Sequence, residues 1–141
     1  MRVLIFAGAL LLAGCAAGNG FPDEPQVKAG EEFTLAAGAS ASIDGRYLIT
    51  FEKVVEDSRC PMNARCVWEG NARVALSVLE VRSGDRDEYH SWPLELNTSE
   101  RFATKRSVDA LSVELRLLDP TPMAGVPVEK YTITLLAEIR R

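Results

Sequence analysis

Leu111-Ser112-Val113-Glu114-Leu115-Arg116-Leu117 alternates apolar and polar side chains without a break. Successive side chains of a strand point to opposite faces, so this run sets four apolar groups on one side and three polar ones on the other. Wound as a helix, the same residues would spread their apolar groups around the cylinder and leave no single face to bury. The pattern recurs in Tyr131, Ile133, Leu135, Ala137 and Ile139, which alternate with Thr132, Thr134, Leu136 and Glu138. It recurs again in Val74, Leu76 and Val78 against Arg73, Ala75 and Ser77. Residues 46–56 are β-branched and aromatic (Tyr47, Ile49, Phe51, then Val54 and Val55), and a slip of phase near Lys53 predicts a bulge. Shorter strands are expected around Phe33 and Leu35, and through Ala39, Ala41 and Ile43.

The punctuation between these runs is that of antiparallel β-structure. Asp44-Gly45 is a strong two-residue hairpin signal. Ser83-Gly84-Asp85 predicts a turn joining strands at 74–82 and 87–96, and Trp92-Pro93 marks the second of these as an edge strand or a bulged one. Residues 119–127, with three prolines and Gly125, read as a long irregular connection. No stretch after residue 20 holds a 3.6 period over three turns. The expected fold is therefore all-β: an antiparallel β-sandwich, or a barrel-like variant, of seven to nine short strands in a single domain over residues 31–141.

The chain has 141 residues, enough for one domain that buries roughly two thirds of its unfolded surface. Twelve Arg and four Lys stand against twenty acidic residues, for a formal net charge of −4, and the Arg are scattered along the chain. A mildly acidic domain without a basic cluster does not attract a phosphate backbone, which disfavours nucleic acid as a partner.

The first residues have a different grammar. Met1-Arg2 supplies a positive start, and residues 3–12 are an almost unbroken apolar run. Ten residues fall well short of the ~20 that a helix needs to cross a bilayer, so 1–14 read as a secretory signal peptide. Leu12-Ala13-Gly14-Cys15 closes the run and resembles the lipobox of bacterial lipoproteins. In that family the thiol of the Cys is diacylated, the leader is cut just before it and the new amine is usually acylated, which makes Cys15 the lipidated first residue here. Two or three acyl chains hold a protein on a membrane lastingly, at ~0.8 kcal/mol per buried methylene, where one alone does not. Ala16 in place of Asp resembles outer-membrane sorting, facing the periplasm, if the source is Gram-negative. Residues 15–30 (CAAGNGFPDEPQVKAG) lack apolar periodicity and are expected to form a flexible tether after Cys15, of roughly 20 Å average span.

Three cysteines leave one odd thiol in an exported protein. Acylation of Cys15 restores parity and leaves Cys60 and Cys66 to pair, as an oxidising compartment favours. A ring of this size stabilises by roughly 2–2.5 kcal/mol in the chain-entropy model.

The most distinctive segment surrounds that pair. Asp57-Ser58-Arg59-Cys60-Pro61 followed by Cys66-Val67-Trp68-Glu69-Gly70 resembles a DSRCP…CxWxG pattern of small uncharacterised bacterial lipoproteins of β-sandwich type. The resemblance extends to the Tyr131-Thr132-Ile133-Thr134-Leu135 strand after a Pro-rich loop. It implies the fold and no chemistry. Read from its residues, the loop is a staple in which Trp68 packs over the disulfide while Asp57, Arg59, Arg65 and Glu69 pair or cap backbone groups. The same staple would rigidify a recognition surface, so Asp57, Arg59, Met62, Arg65, Trp68 and Glu69 are the candidate binding loop.

Catalytic patterns are missing from the sequence: there is no Gly-x-Ser-x-Gly, no phosphate-cradling glycine loop and no His-Glu-x-x-His. His90 is the only histidine. Met62, Met123 and His90 are conceivable copper ligands but form no Met-x-x-Met or His-x-His cluster. The acid pairs Glu31/Glu32, Glu56/Asp57 and Asp87/Glu88 are sequence neighbours, which strands send to opposite faces. Asn97-Thr98-Ser99 matches a glycosylation sequon that carries no weight in a bacterial lipoprotein. The expected function is a non-enzymatic, membrane-anchored binding domain with no cofactor and no metal. Its expected partners are the lipid bilayer through acylated Cys15 and an envelope protein or other envelope component. The alternatives are a structural envelope lipoprotein and, weakly, a hydrolase or copper-binding protein.

Overall fold

The computed structural model describes residues 20–82 and 88–140, which form nine strands and no helix. In chain order they are β1 (Gln26–Val27), β2 (Glu32–Ala36), β3 (Ser40–Ile43), β4 (Tyr47–Asp57), β5 (Ala72–Arg82), β6 (Glu88–Asn97), β7 (Lys105–Val108), β8 (Leu111–Asp119) and β9 (Thr132–Ile139). One sheet has the order β1-β3-β4-β5-β6 and the other β2-β9-β8-β7. All pairings are antiparallel except β1 with β3.

The inner faces meet as the period-two runs require. Ile49, Phe51, Val74, Leu76, Val78 and Leu96 from the first sheet are buried together with Leu35, Leu111, Val113, Ile133 and Leu135 from the second. Each fully buried aliphatic or aromatic side chain stabilises by about 1.5–3 kcal/mol relative to its exposed state, so this shared core holds the two layers together. The lipobox and Cys15 lie outside the described residues, as does the Ser83-Gly84-Asp85 turn, although β5 and β6 pair antiparallel on either side of it.

Several expectations hold in detail. Asp44 and Gly45 both have positive φ (49° and 67°), the requirement of a type I′ turn, and Arg46 N–H donates to the Ile43 carbonyl across it. Register shifts at Glu52 and Val55 place bulges on either side of Lys53. β6 is an edge strand, which accommodates Pro93.

Three features depart from the expectations. First, Leu117 does not join the core. A bulge at Arg116 shifts the pairing of β8 against β9, so Leu117 is half exposed (51 %) and Leu118 turns inward. One extra residue moves every later side chain to the other face. Second, the tether expected through residue 30 is docked from Gly20 onward. Gly20 N–H donates to the Gly45 carbonyl, Ser42 N–H to Pro25, Asp44 N–H to Val27 and Gly30 N–H to Ala137, and Val27 and Ala29 pack on the core. Strand pairing needs only backbone groups, so the absence of apolar periodicity did not prevent it. Third, β7 was not anticipated, because Lys105-Arg106-Ser107-Val108 is too polar and too short to show alternation.

The topology gives the molecule two unlike ends. At one lie Gly20, the Asp44-Gly45 turn, Glu80 and the Asp109-Ala110 turn between β7 and β8. At the other, past Asp57 at the far end of β4, lie the connections β4–β5, β6–β7 and β8–β9. Eleven residues of β4 separate the two ends, about 33 Å at 3.3 Å per residue.

Candidate functional site

The far end is a head of three loops bound to one another. Cys60 and Cys66 are joined by a disulfide. Around it Ser58 N–H donates to the Asn71 carbonyl (2.8 Å) and Cys60 N–H to the Glu69 carbonyl (2.7 Å), so the loop's two limbs are also laced by backbone bonds. Met62 N–H donates to the Pro122 carbonyl at 2.9 Å, and the Asn63 side chain exchanges hydrogen bonds with both backbone groups of Ala124. The loop after β6 joins through Ser99, whose hydroxyl donates to Glu69 Oε1 at 2.9 Å. Its Thr98 hydroxyl accepts from Ala72 N–H, and Asn71 Nδ2 donates to Asn97 Oδ1.

Arg59 is the centre of this lacing. Its guanidinium forks onto Asp57 at 2.8 and 2.7 Å and donates to the carbonyls of Leu118 (2.6 Å) and Pro120 (2.7 Å). Both side chains are largely buried, at 12 % and 9 % exposure. Burial pushes the Asp57 carboxyl up, but the hydrogen bonds and charge of Arg59 outweigh it and hold the group below its ordinary value. The Tyr131 hydroxyl donates a further bond to Asp57, and burial with that carboxylate beside it raises the phenol.

The predicted site residues divide accordingly. Asp57 and Arg59 form the internal clamp, and the exposed Glu69 carboxyl is held down by bonds from its own backbone N–H and from Ser99. Arg65 and Met62 are exposed on the ring. Trp68 has the Arg101 guanidinium 5.1 Å above its ring. The sequence did not foretell that Met62, Val67, Trp68, Phe102, Met123 and Val126, six of the nine exposed large hydrophobic side chains among the described residues, all belong to these three loops.

Other candidates do not converge. His90 stacks on Trp92 at 6.0 Å and pairs opposite Glu80, near the end of the sandwich away from the loops that carry Met62 and Met123. The three conceivable copper ligands are thus not brought together. Among the described residues no group of three His, Cys, Asp or Glu is placed to hold a metal ion.

The opposite end holds a polar cluster that sequence reading missed. Glu80 is fully buried and accepts from Arg46 (2.8 and 2.6 Å) and Arg82 (2.9 Å), while Asp109 accepts from the Tyr47 hydroxyl at 2.7 Å. A signal was present: Glu80 continues the inward phase of Val74, Leu76 and Val78. Burial pushes the Glu80 carboxyl up, but the two guanidiniums more than offset this and hold it below its ordinary 4.5. A lowered carboxyl contributes stability that is complete above 4.5 and lost as pH falls through the lowered value. Glu80→Gln should therefore lose about 2 kcal/mol at neutral pH, the low end for a buried pair because both arginines are about half exposed. Thermal melts should show this deficit shrinking as pH drops below 4.5.

The chain matches no family model, no curated protein and no solved structure. Its functional reading accordingly rests on the geometry above.

Proposed function

We propose that this chain is a bacterial lipoprotein acylated on Cys15 whose β-sandwich is a non-enzymatic binding domain of the cell envelope, with the three-loop head as its contact surface. The observation that carries the reading is the gathering of six exposed apolar side chains on loops that are bound together by a disulfide, the Arg59 clamp and crossed backbone bonds. Exposed apolar groups gathered at one place mark interaction sites, and a surface already rigid loses little entropy on binding. The Cys60–Cys66 bond agrees with an exported address.

Polarity supports the same reading. Gly20 is bonded into the end of the sandwich opposite the head. The five residue-to-residue steps from Cys15 to Gly20 can span at most about 18 Å. An acylated Cys15 would hold that end against the bilayer and direct the head outward, toward envelope components beyond the membrane surface. In a Gram-negative source the anchor would be the outer membrane and the head would face the periplasm.

A photo-crosslinking side chain at Met62 or Met123 should give defined adducts in intact cells, and one at Asp23, near the anchored end, should not. Mass spectrometry of the same protein should show a diacylated or triacylated Cys15 as the first residue. Equal labelling from both ends, or none from the head, overturns the binding reading. An uncleaved or unmodified N-terminus overturns the lipoprotein reading.

A further inference from the structure

Beside Trp68 a cleft of about 480 Å³ opens between the head and the ends of β5 and β6, within the roughly 300–1,000 Å³ range of ligand sites. We infer that it binds a neutral saccharide, an inference that rests on the head being the contact surface and names the ligand of that surface.

The lining sets the chemistry. Trp68 and Phe102 provide aromatic walls and remain 36 % and 52 % exposed. Around them stand Arg73, Arg106, Glu56 and Glu95, two cations against two anions. Beneath, Asn71 and Asn97 are bonded to each other at 2.9 Å, so the floor is fixed. Arg73 reaches Glu56 and Glu95 only at 3.9 and 3.8 Å, too far for hydrogen bonds, and its Nε is buried without a hydrogen-bond partner. The rest of the Arg73 side chain is 42 % exposed, so its outer guanidinium nitrogens face the cleft as donors.

A sugar meets each of these demands. Every hydroxyl both accepts, as the Arg73 and Arg106 guanidiniums require, and donates, as Glu56 and Glu95 require. The C–H face of a pyranose is apolar and lies flat on an aromatic ring. The two carboxylates oppose a phosphate or sulfate, and the two guanidiniums oppose a cation. A wholly apolar ligand would desolvate all four charges without pairing them.

The test uses the mature disulfide-bonded chain purified from membranes, with neutral oligosaccharides of glucose, N-acetylglucosamine and mannose as probes. Inorganic phosphate and heparin serve as charged competitors. Calorimetry and tryptophan emission should report saturable binding of at least one neutral oligosaccharide, little altered by salt and not displaced by phosphate. Trp68→Ala should weaken it about tenfold or more, as loss of a central aromatic contact does. Glu95→Gln should also weaken it while leaving the melting temperature unchanged, which keeps the result interpretable if Trp68→Ala disturbs the fold. Binding untouched by both variants, or displaced by phosphate or heparin, overturns the assignment. So does a panel in which no neutral oligosaccharide binds. If the panel is blank while Met62 still crosslinks to an envelope protein, the saccharide falls and the binding reading stands. If both fail, both fall.

Discussion

Gly70→Ala is expected to cost roughly 3–5 kcal/mol of stability for the addition of a single methyl group. Gly70 has φ +75°, where an L side chain is already strained. A Cβ there would also collide with the Ser58 carbonyl oxygen and sit 2.8 Å from the Arg59 Cα. Both are backbone atoms, and Ser58 is pinned by its N–H and hydroxyl bonds to the Asn71 carbonyl. The neighbour cannot rotate away as a side chain would. The limbs must part, opening the lacing at Ser58 and Cys60 while the disulfide stays closed. Gly125 is the control, since it has φ +81° but nothing within 4 Å of its Cβ position. Gly125→Ala should cost only the conformational part, about 1–2 kcal/mol. Urea unfolding of the two variants separates clash from strain, and equal losses would contradict the steric account. The glycine that ends the CxWxG pattern is thus explained by the close approach of two backbones.

Arg59→Ala ranks second, with an expected loss of about 3–5 kcal/mol at neutral pH. It removes both bonds of the fork on Asp57 and strips the Leu118 and Pro120 carbonyls of their donor. The Asp57 carboxylate would keep only longer bonds, 3.2 Å each, from the Arg59 N–H and the Tyr131 hydroxyl. Arg59→Lys should recover part of the loss, because a point charge cannot reproduce a planar fork that reaches two carbonyls and a carboxylate at once. The pH dependence has a definite sign. In the wild type the lowered Asp57 carboxyl stabilises fully above its ordinary 3.8 and loses that contribution as pH falls. In Arg59→Ala the burial that pushes this carboxyl up is left without its main opponent. The gap between the two proteins should therefore narrow on acidification, starting above 3.8 as the raised carboxyl of the variant takes up its proton and continuing below 3.8 as the wild type loses its lowered one. Hydrogen exchange should locate the damage at the start of the loop after β8, where Arg59 holds the Leu118 and Pro120 carbonyls, while the Met62–Pro122 and Asn63–Ala124 bonds keep the rest of that loop attached. A gap that widens in acid would show that the Asp57–Arg59 clamp is not the source of the loss.

Much of the architecture was legible because burial on one face leaves a period of two. Residues 72–80 and 131–139 could satisfy that period only as strands, and Asp44-Gly45 could hardly be anything but a tight turn. The same rule reaches one residue further: Glu80 in phase with Val74, Leu76 and Val78 announces a carboxylate inside the sandwich, which must find cations. Leu117 shows where the rule misleads. Its phase is right until a bulge inserts one residue, and no local signal at Arg116 marks the insertion.

The sequence by itself determined the main strands and their buried faces, the Asp44-Gly45 turn and which cysteines stand close enough to bond, since these follow from neighbours a few residues apart. Only the tertiary structure decided how the loops combine. Met62 meets Pro122, Arg59 meets Leu118 and Glu69 meets Ser99 across separations of 60, 59 and 30 residues. Hydrogen bonds between irregular segments have no periodicity to betray them, because each depends on where two sheets deliver their strand ends. That delivery, and not any motif within one loop, sets Trp68 and Phe102 on one cleft and the exposed methionines on one head.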